Sequence, residues 1–456
     1  MNSDIDEKSI ITNWVKQINK PIFLSVTILM TIGLFISLTI NPGTSKYLNN
    51  NLFSYFNIQA LYLIIGYVIF LLISFINVDH VKTGSIYLFI IVFISLLATL
   101  IIGVEIKGSK RWLYLLNISI MPIEILKPFF CVILGIILNN RYQKNKYSSY
   151  TISFIIFSSV SIILVMQPDV SQLFLISVIY FSSVFMSGFS IVILSSLIVS
   201  GIIFSILIYL MNFNVQNRIN SFFFPEDYDL TQTELSLQAI KQGGLIGVGP
   251  GNGLLKNKIP EANSDYIFSV IAEEYGLIGC LVILSLFFII AYQGFKKIYG
   301  NNDHFIQICI FTLIIYICLQ ALVHIGVNIR LIPTTGITLP FISYGGTSII
   351  IMLALIGIVL RINNENKIIG KIIRVDPTNG KGLRAVDYKN QDFEVIKENL
   401  EDTAIEVQKL HVKHDNAENR AVQRHEACIQ EIKEIKDELE RVKAVIICAY
   451  ANDEND

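Results

Sequence analysis

Residues 84–103 read GSIYLFIIVFISLLATLIIG, twenty consecutive positions without a charged side chain. One helix needs roughly 17–25 apolar residues to cross a bilayer core, so this stretch is long enough to span a membrane. Nine further stretches qualify, and Pro168 separates two of them because proline breaks a helix. The sequence predicts an all-α polytopic membrane protein with ten transmembrane helices, near 22–40, 58–77, 84–103, 120–138, 151–167, 170–186, 189–211, 266–294, 304–327 and 343–361.

Charge divides the 456 residues into two unlike parts. The chain is 53% hydrophobic and carries a formal net charge of −1, which excludes a generally basic nucleic-acid-binding protein. Of its 71 charged residues, 30 lie in 380–456, and so few remain elsewhere that the rest could not cover a soluble surface. We therefore predict a cytoplasmic N-terminal segment (1–20), a membrane domain (21–370) and a charged cytoplasmic helical tail (380–456).

Lysine and arginine in the short loops predict the orientation. With the N-terminus inside, thirteen of them are cytoplasmic and nine are outside, and an even number of spans returns the tail to the cytoplasm. This arrangement leaves a large outer loop, 212–265, between helices 7 and 8. Outer positive charge is concentrated at 107–111 and 256–258, which favours a site for an anionic ligand. In the tail, apolar residues at 432, 435, 439 and 442 predict an amphipathic helix or a short coiled coil.

The outer loop contains the densest group of candidate functional residues. Glycines recur between 243 and 253, where they could let the backbone approach a ligand or simply form turns. Asp265 precedes the eighth span and could cap that helix. A carboxylate at a partly dry membrane face is also suited to general-base catalysis, because limited hydration raises its pKa.

A second group of charged residues surrounds the fourth span. Lys110 and Arg111 beside Trp112 form a cationic site suited to phosphate. Glu124 and Lys127 are three residues apart on a helix, where they could form a structural ion pair or line a substrate path. Asp169 adds a carboxylate in the loop after the fifth span.

Two features of the last spans are also polar. His324 in the ninth span is expected to bond a neighbouring helix. The stretch 333–346 contains two prolines and three glycines, so it must be buried in protein or line a wet cavity.

Together these stretches resemble the SEDS family of bacterial membrane proteins (shape, elongation, division and sporulation), which includes FtsW and RodA. The resemblance covers roughly 20–370, and two motifs look more like the division branch, FtsW. The matching stretches are GSKRWL at 108–113, PIEILK at 122–127, QPD at 167–169, AIKQGGLIGVGPGNGLLK at 239–256, PEANSDYIFSVIAEEYGLIG at 260–279 and PTTGITLPFISYGGTS at 333–348.

The resemblance implies a peptidoglycan glycosyltransferase that polymerises lipid II on the outer face of the bacterial inner membrane, with release of undecaprenyl pyrophosphate. The implied partners are a class B penicillin-binding protein (FtsI-like) and other divisome membrane proteins at the septum. Asp265 matches the catalytic position. The predicted substrate-binding residues are Lys110, Arg111, Glu124, Lys127, Asp169, Gln232, Lys256 and Glu261.

The chain departs from the family pattern at Met121, Ile123, Asn263, Leu235 and Arg330, whereas the charged positions are kept. Lys110, Arg111 and Lys256 would stabilise the charge of the leaving pyrophosphate. A divalent cation (Mg or Mn) could assist, although the sequence shows no clear set of metal ligands. A flippase for lipid-linked precursors, a scaffold that only recruits the penicillin-binding protein, and an elongation role like that of RodA remain alternatives.

Overall fold

The computed structural model describes residues 18–40, 54–106, 109–115, 118–139, 146–188, 210, 213–223, 231–299 and 303–372. Helices dominate these ranges, as the apolar runs predict. The helices are α1 Lys20–Thr39, α2 Ser54–Phe75, α3 Val78–Ile102, α4 Pro122–Asn139, α5 Lys146–Met166, α6 Val170–Met186, α7 Phe213–Phe223, α8 Thr231–Gly243, α9 Ile267–Tyr299, α10 His304–Asn328 and α11 Gly346–Ile372.

Seven of the described helices are long and apolar enough to cross a membrane, namely α1 to α5, α9 and α10. Two shorter apolar helices, α6 and the Gly346–Ile362 part of α11, lie at two further predicted spans. The predicted span 189–211 lies outside the described residues except for Leu210, so the count of ten stays a prediction. The chain is a multi-pass membrane protein.

The prediction of an all-α fold is wrong between α3 and α4. There the chain forms strands β1 Val104–Ile106, β2 Ser109–Leu115 and β3 Ile118–Ile120, which pair as an antiparallel sheet in the order β1-β2-β3. Glu105 lies opposite Lys110 in this sheet. Hydropathy did not reveal the strands because they are too short to give a clear alternating pattern.

Helix α4 is the centre of the bundle. About 72% of its most apolar stretch is buried inside the protein, against 22% of the corresponding stretch of α2, which therefore faces outward. It packs against α3, α6 and α10, while α9 packs against α1, α8 and α10. The predicted break at Pro168 is present, since α5 ends at Met166 and α6 begins at Val170. Asp169 caps α6 by accepting a hydrogen bond from the Gln172 N–H at 3.3 Å.

Contacts between helix ends define two ends of this bundle. At one end, Ser187 donates to the Tyr150 hydroxyl at 3.3 Å, so the end of α6 lies beside the start of α5. Lys82 lies 4.5 Å above the Phe305 ring, which brings the starts of α3 and α10 together. The other end contains the sheet and the starts of α4, α6, α9 and α11.

The predicted tail, 380–456, and the predicted N-terminal segment up to residue 17 lie outside the described residues.

Candidate active site

A cavity of about 780 Å³ opens at the end of the bundle that contains the sheet. Its walls come from five parts of the chain: the β2–α4 region, the segment before α9, the irregular segment that leads into α11, and one residue each from α2 and α8. The lining residues are Tyr62, Arg111, Trp112, Tyr114, Ser119, Met121, Glu124, Gln232, Glu261, Asn263, Ser264, Asp265, Tyr266, Thr334, Thr335, Gly336, Thr338, Tyr344, Gly345, Gly346, Thr347 and Ser348.

Asp265 is half-buried in this cavity, two residues before α9 begins. Its backbone belongs to a tight turn in which the Glu261 carbonyl accepts hydrogen bonds from the N–H groups of Ser264 and Asp265, at 3.1 and 3.0 Å. Gly336 forms the facing wall, because a Cβ atom placed there would lie only 3.6 Å from Asp265 Oδ2. The carboxylate therefore lies in a narrow space between two segments that are about 70 residues apart in sequence.

Two neighbours of Asp265 shape its surroundings. Glu261 is exposed and has a φ of 57°, a left-handed conformation that is costly for a residue with a side chain. Tyr266 is buried; this burial, followed by the nearby carboxylates of Asp265 and Glu261, raises the pKa of its phenol. The phenol is therefore neutral at physiological pH.

Arg111 brings positive charge into the same cavity. Its Nε lies 3.2 Å from Asp169 Oδ2, and Nη2 donates to the Pro168 carbonyl at 3.4 Å. Asp169 is almost fully buried behind Arg111 and does not line the cavity. It holds the guanidinium in place and caps α6 at the same time.

Lys110 does not share the cavity with Arg111. The two residues are adjacent on β2, and successive side chains of a strand point to opposite faces of the sheet. Lys110 is exposed, whereas the Arg111 side chain is 15% exposed. The structure separates the predicted cationic pair, and only Arg111 faces the carboxylate wall.

Glu124 and Lys127 have different surroundings on α4. Glu124 lines the cavity and accepts a hydrogen bond from the Thr347 hydroxyl at 3.4 Å. Lys127 is buried beneath it, where Nζ donates to Gln172 Oε1 at 3.0 Å and lies 5.0 Å from the centre of the Tyr316 ring. Of these two charged residues, only Glu124 is placed to contact a ligand in the cavity.

Gln232 on α8 lines the cavity, but Lys256 lies elsewhere. Lys256 is buried, forms an ion pair with Glu274, and donates to the Thr39 carbonyl at 2.5 Å. The adjacent Glu273 accepts hydrogen bonds from the N–H groups of Leu255 and Lys256, at 2.8 and 2.9 Å. These bonds tie the outer loop to α9 and to the end of α1, and Lys256 does not face the cavity.

The glycine-rich stretch packs against protein. Gly243 and Gly247 touch the backbone of α9 so closely that a Cβ atom would lie 1.8 Å and 2.2 Å from its carbonyl oxygens. None of the glycines between 243 and 253 lines the cavity. Of the two roles considered from sequence, the structure supports turn formation and close packing.

The irregular stretch before α11 lines the cavity, which is one of the two alternatives that its prolines and glycines left open. Several of its threonines and glycines between 334 and 348 line the cavity, although the sequence did not single them out as site residues. Beneath it, His324 Nδ1 donates to the Ile337 carbonyl at 2.8 Å. The expectation that His324 bonds a neighbouring helix is therefore wrong, because its partner lies in the irregular segment before α11.

The fold and the site together define a multi-pass membrane protein with a polar cavity at one end of its helical bundle. Residues 20–368 match the FtsW/RodA/SpoVE family, described as cell cycle protein, and the chain belongs to this family. The resemblance to SEDS proteins is thereby confirmed.

Relatives and a solved structure extend this comparison. The chain is 30% identical over 339 residues to a probable peptidoglycan glycosyltransferase FtsW of Caulobacter vibrioides, covering 74% of this chain and 86% of that protein. It is 32% identical over 348 residues to the protein of the same name in Borreliella burgdorferi, covering 75% and 95%. A structure titled "Structural coordination of polymerization and crosslinking by a peptidoglycan synthase complex" has the same fold, with a TM-score of 0.63, 21% identity, and coverage of 76% of this chain and 98% of that one.

Proposed function

We propose that this protein is a peptidoglycan glycosyltransferase that polymerises lipid II at the outer face of the bacterial inner membrane. The observation that carries the proposal is the shared cavity, whose walls include the half-buried carboxylate of Asp265 and the guanidinium of Arg111, held from behind by Asp169. Glycosyl transfer to a hydroxyl requires two groups: a general base for the hydroxyl proton and a positive group that stabilises the leaving anion. Membership of the FtsW/RodA/SpoVE family supports the same conclusion.

The proposed reaction assigns a role to each wall. Asp265 accepts the proton of the acceptor sugar hydroxyl while that oxygen bonds to the anomeric carbon of the donor. The bond between the anomeric carbon and the pyrophosphate oxygen breaks, and undecaprenyl pyrophosphate leaves. Arg111 stabilises the negative charge that develops on the pyrophosphate, and Asp169 keeps the guanidinium aimed at it. Glu124, Gln232 and Glu261 contact the sugars or the pyrophosphate.

Lys110, Lys127 and Lys256 lie outside the cavity lining, and only Lys110 and Lys127 have supporting roles in this proposal. Lys110 lies at the exposed face of the sheet, where it could attract the anionic substrate from the membrane surface. Lys127 neutralises the buried carboxylates near the start of α4. Among the residues that the structure describes, no three His, Cys, Asp or Glu side chains are grouped to hold a metal, so a divalent cation would bind through the pyrophosphate of the substrate.

The proposed partner is a class B penicillin-binding protein, which would crosslink the new strands at the division septum. The support is the similarity to FtsW proteins, together with a shared fold with a subunit of a peptidoglycan synthase complex. Both chain termini are proposed to be cytoplasmic, as the distribution of lysine and arginine predicts.

Purified full-length protein with its penicillin-binding partner, supplied with labelled lipid II, tests the proposal. Asp265→Asn keeps the shape of the side chain but removes its basicity, so we expect the polymer to fall by a factor of roughly 10² or more. Undiminished polymer from Asp265→Asn would reject the base assignment. Movement of lipid II between leaflets without polymer would favour the flippase alternative, and neither activity would favour the scaffold.

A further inference from the structure

Three successive carbonyl groups around Asp265 each accept one hydrogen bond, two from the stretch between α10 and α11 and one from the last residue of α10. The Tyr344 N–H donates to the Asn263 carbonyl at 2.8 Å. The Ser343 hydroxyl donates to the Ser264 carbonyl at 2.7 Å. The side-chain amide of Asn328 donates to the Asp265 carbonyl at 3.1 Å. The backbone of residues 263–265 is therefore hydrogen-bonded, at each of the three residues, to a part of the chain that is distant in sequence.

The buried hydroxyl of Ser343 both donates and accepts a hydrogen bond. It is 2% exposed, and its oxygen also accepts the Leu339 N–H at 2.8 Å. It does not line the cavity, so it has no contact with a ligand there. Its hydroxyl joins the segment before α11 to the segment before α9.

Asn328 is fully buried at the last turn of α10 and connects three elements. Besides the bond to Asp265, its amide donates to the His324 carbonyl at 2.8 Å, and its Oδ1 accepts the Ser269 N–H at 3.1 Å. The Ser269 N–H, in the first turn of α9, is shared between this oxygen and the Tyr266 carbonyl, which it meets at 3.1 Å. The Asn328 carbonyl accepts the Ser236 hydroxyl of α8 at 2.9 Å.

These bonds matter because residues 261–266 form a turn, which lacks the repeated backbone hydrogen bonds that hold a helix in place. The stretch that supplies two of these donors, Ser343 and Tyr344, also carries Gly336, which faces the Asp265 carboxylate. The hydrogen bonds therefore set both the position of the carboxylate and its distance from the opposite wall. Displacing a catalytic group by about 1 Å can cost roughly 10² in rate.

We propose that Ser343 and Asn328 are positioning residues for Asp265, acting through the backbone of residues 264 and 265. This inference rests on the proposed function, in which Asp265 is the general base. Loss of either donor should lower the turnover number and leave the binding of lipid II nearly unchanged, because neither side chain contacts the cavity.

The test compares Ser343→Ala and Asn328→Leu with Asp265→Asn in the lipid II polymerisation assay, using the full-length protein with its penicillin-binding partner. Ser187→Ala and Thr312→Val are the matched controls, since both residues are fully buried and hydrogen-bonded away from residues 261–266. We expect kcat to fall roughly 10- to 100-fold in the first two variants, with KM changed less than about threefold. The controls should keep their kcat, and Ser343→Thr, which retains the hydroxyl, should recover most of the lost rate.

An unchanged kcat in Ser343→Ala and Asn328→Leu would overturn the proposal, as would an equal loss in the controls or a loss expressed only in KM. Should Ser343→Ala fail to fold, Ser343→Cys replaces it, because a thiol has similar size and is a much weaker donor; a normal kcat there has the same meaning. Full activity of Asp265→Asn would instead reject the proposed base, whereas its inactivity beside normal positioning variants would reject only the positioning role.

Discussion

At the scale of single residues, the lysines buried in the described part of this protein have specific partners. Lys127 has Gln172 and the Tyr316 ring, and Lys256 has Glu274. Burying an ion without compensation is expensive, above all near lipid, so each of these positions demanded a second polar group. The sequence singled out both lysines as candidate site residues, but their buried partners could not be predicted from it.

Arg330 shows how a departure from the family pattern acts on one residue. It has a φ of 57° and lies just after α10 ends. The Arg330 N–H bonds to the Val327 carbonyl at 3.0 Å and the Leu331 N–H bonds to the Gly326 carbonyl at 2.7 Å, which is the Schellman pattern of helix termination. Glycine is favoured at this left-handed position because it has no Cβ atom.

Replacing this arginine should therefore stabilise the fold. For Arg330→Gly we expect a gain of roughly 0.5–1 kcal/mol, since the strain of the left-handed conformation is relieved. Thermal unfolding of the detergent-solubilised protein measures the gain. Arg330→Ala, which removes the charge but keeps the Cβ atom, is the control and should show no such gain; equal stabilisation of both variants would attribute the effect to charge.

At the scale of elements, the kink in α9 and the glycine-rich loop form one unit. Gly276 interrupts α9 with φ 64° and ψ −161°. After the kink, the Leu277 N–H donates to the Gly244 carbonyl at 3.0 Å, and the Ile278 N–H donates to the Leu245 carbonyl at 3.2 Å. The loop thus replaces the helical hydrogen bonds that the kink removes, which is a requirement for irregular backbone at a membrane face.

Gly276→Ala should disrupt this unit. A Cβ atom at that position would lie 2.5 Å from the Gly247 nitrogen and the Leu245 oxygen, in a conformation that only glycine adopts readily. We expect a loss of stability of roughly 2 kcal/mol or more, together with reduced polymerisation. Gly84→Ala is the matched control because its Cβ atom would meet nothing within 4 Å on α3, and thermal unfolding should show it unchanged or slightly stabilised.

At the scale of the whole molecule, the cavity lies at the bundle end where α4, α6, α9 and α11 begin. Its walls come from segments more than 200 residues apart, and the charged groups that line it are separated from the basic residues of the opposite end. Lys82 and Lys296 belong to that opposite end, beside the starts of α3 and α10 and the last turn of α9. If lysine and arginine orient the protein as predicted, the cavity faces outward.

Labelling with a membrane-impermeant maleimide checks this orientation. In intact cells, Lys258→Cys in the outer loop should be labelled, whereas Lys296→Cys should be labelled only after permeabilisation, because both side chains are exposed but lie at opposite ends. Both variants also carry the substitutions Cys428→Ser and Cys448→Ser, so that cysteines of the tail do not react with the maleimide. The reverse labelling pattern would place the cavity on the cytoplasmic side and would remove the basis for the proposed polymerase.

The sequence by itself determined that the chain crosses a membrane repeatedly, that the helix breaks at Pro168, and that residues 333–346 are irregular. These features depend on contiguous residues, because hydropathy and helix breaking are local properties. Only the tertiary structure decided that Arg111 shares a cavity with Asp265 while Lys110 and Lys256 do not, since side-chain direction on a strand and the pairing of Lys256 with Glu274 arise from contacts between distant segments. The carbonyl groups around Asp265 have their donors in a different part of the chain for the same reason.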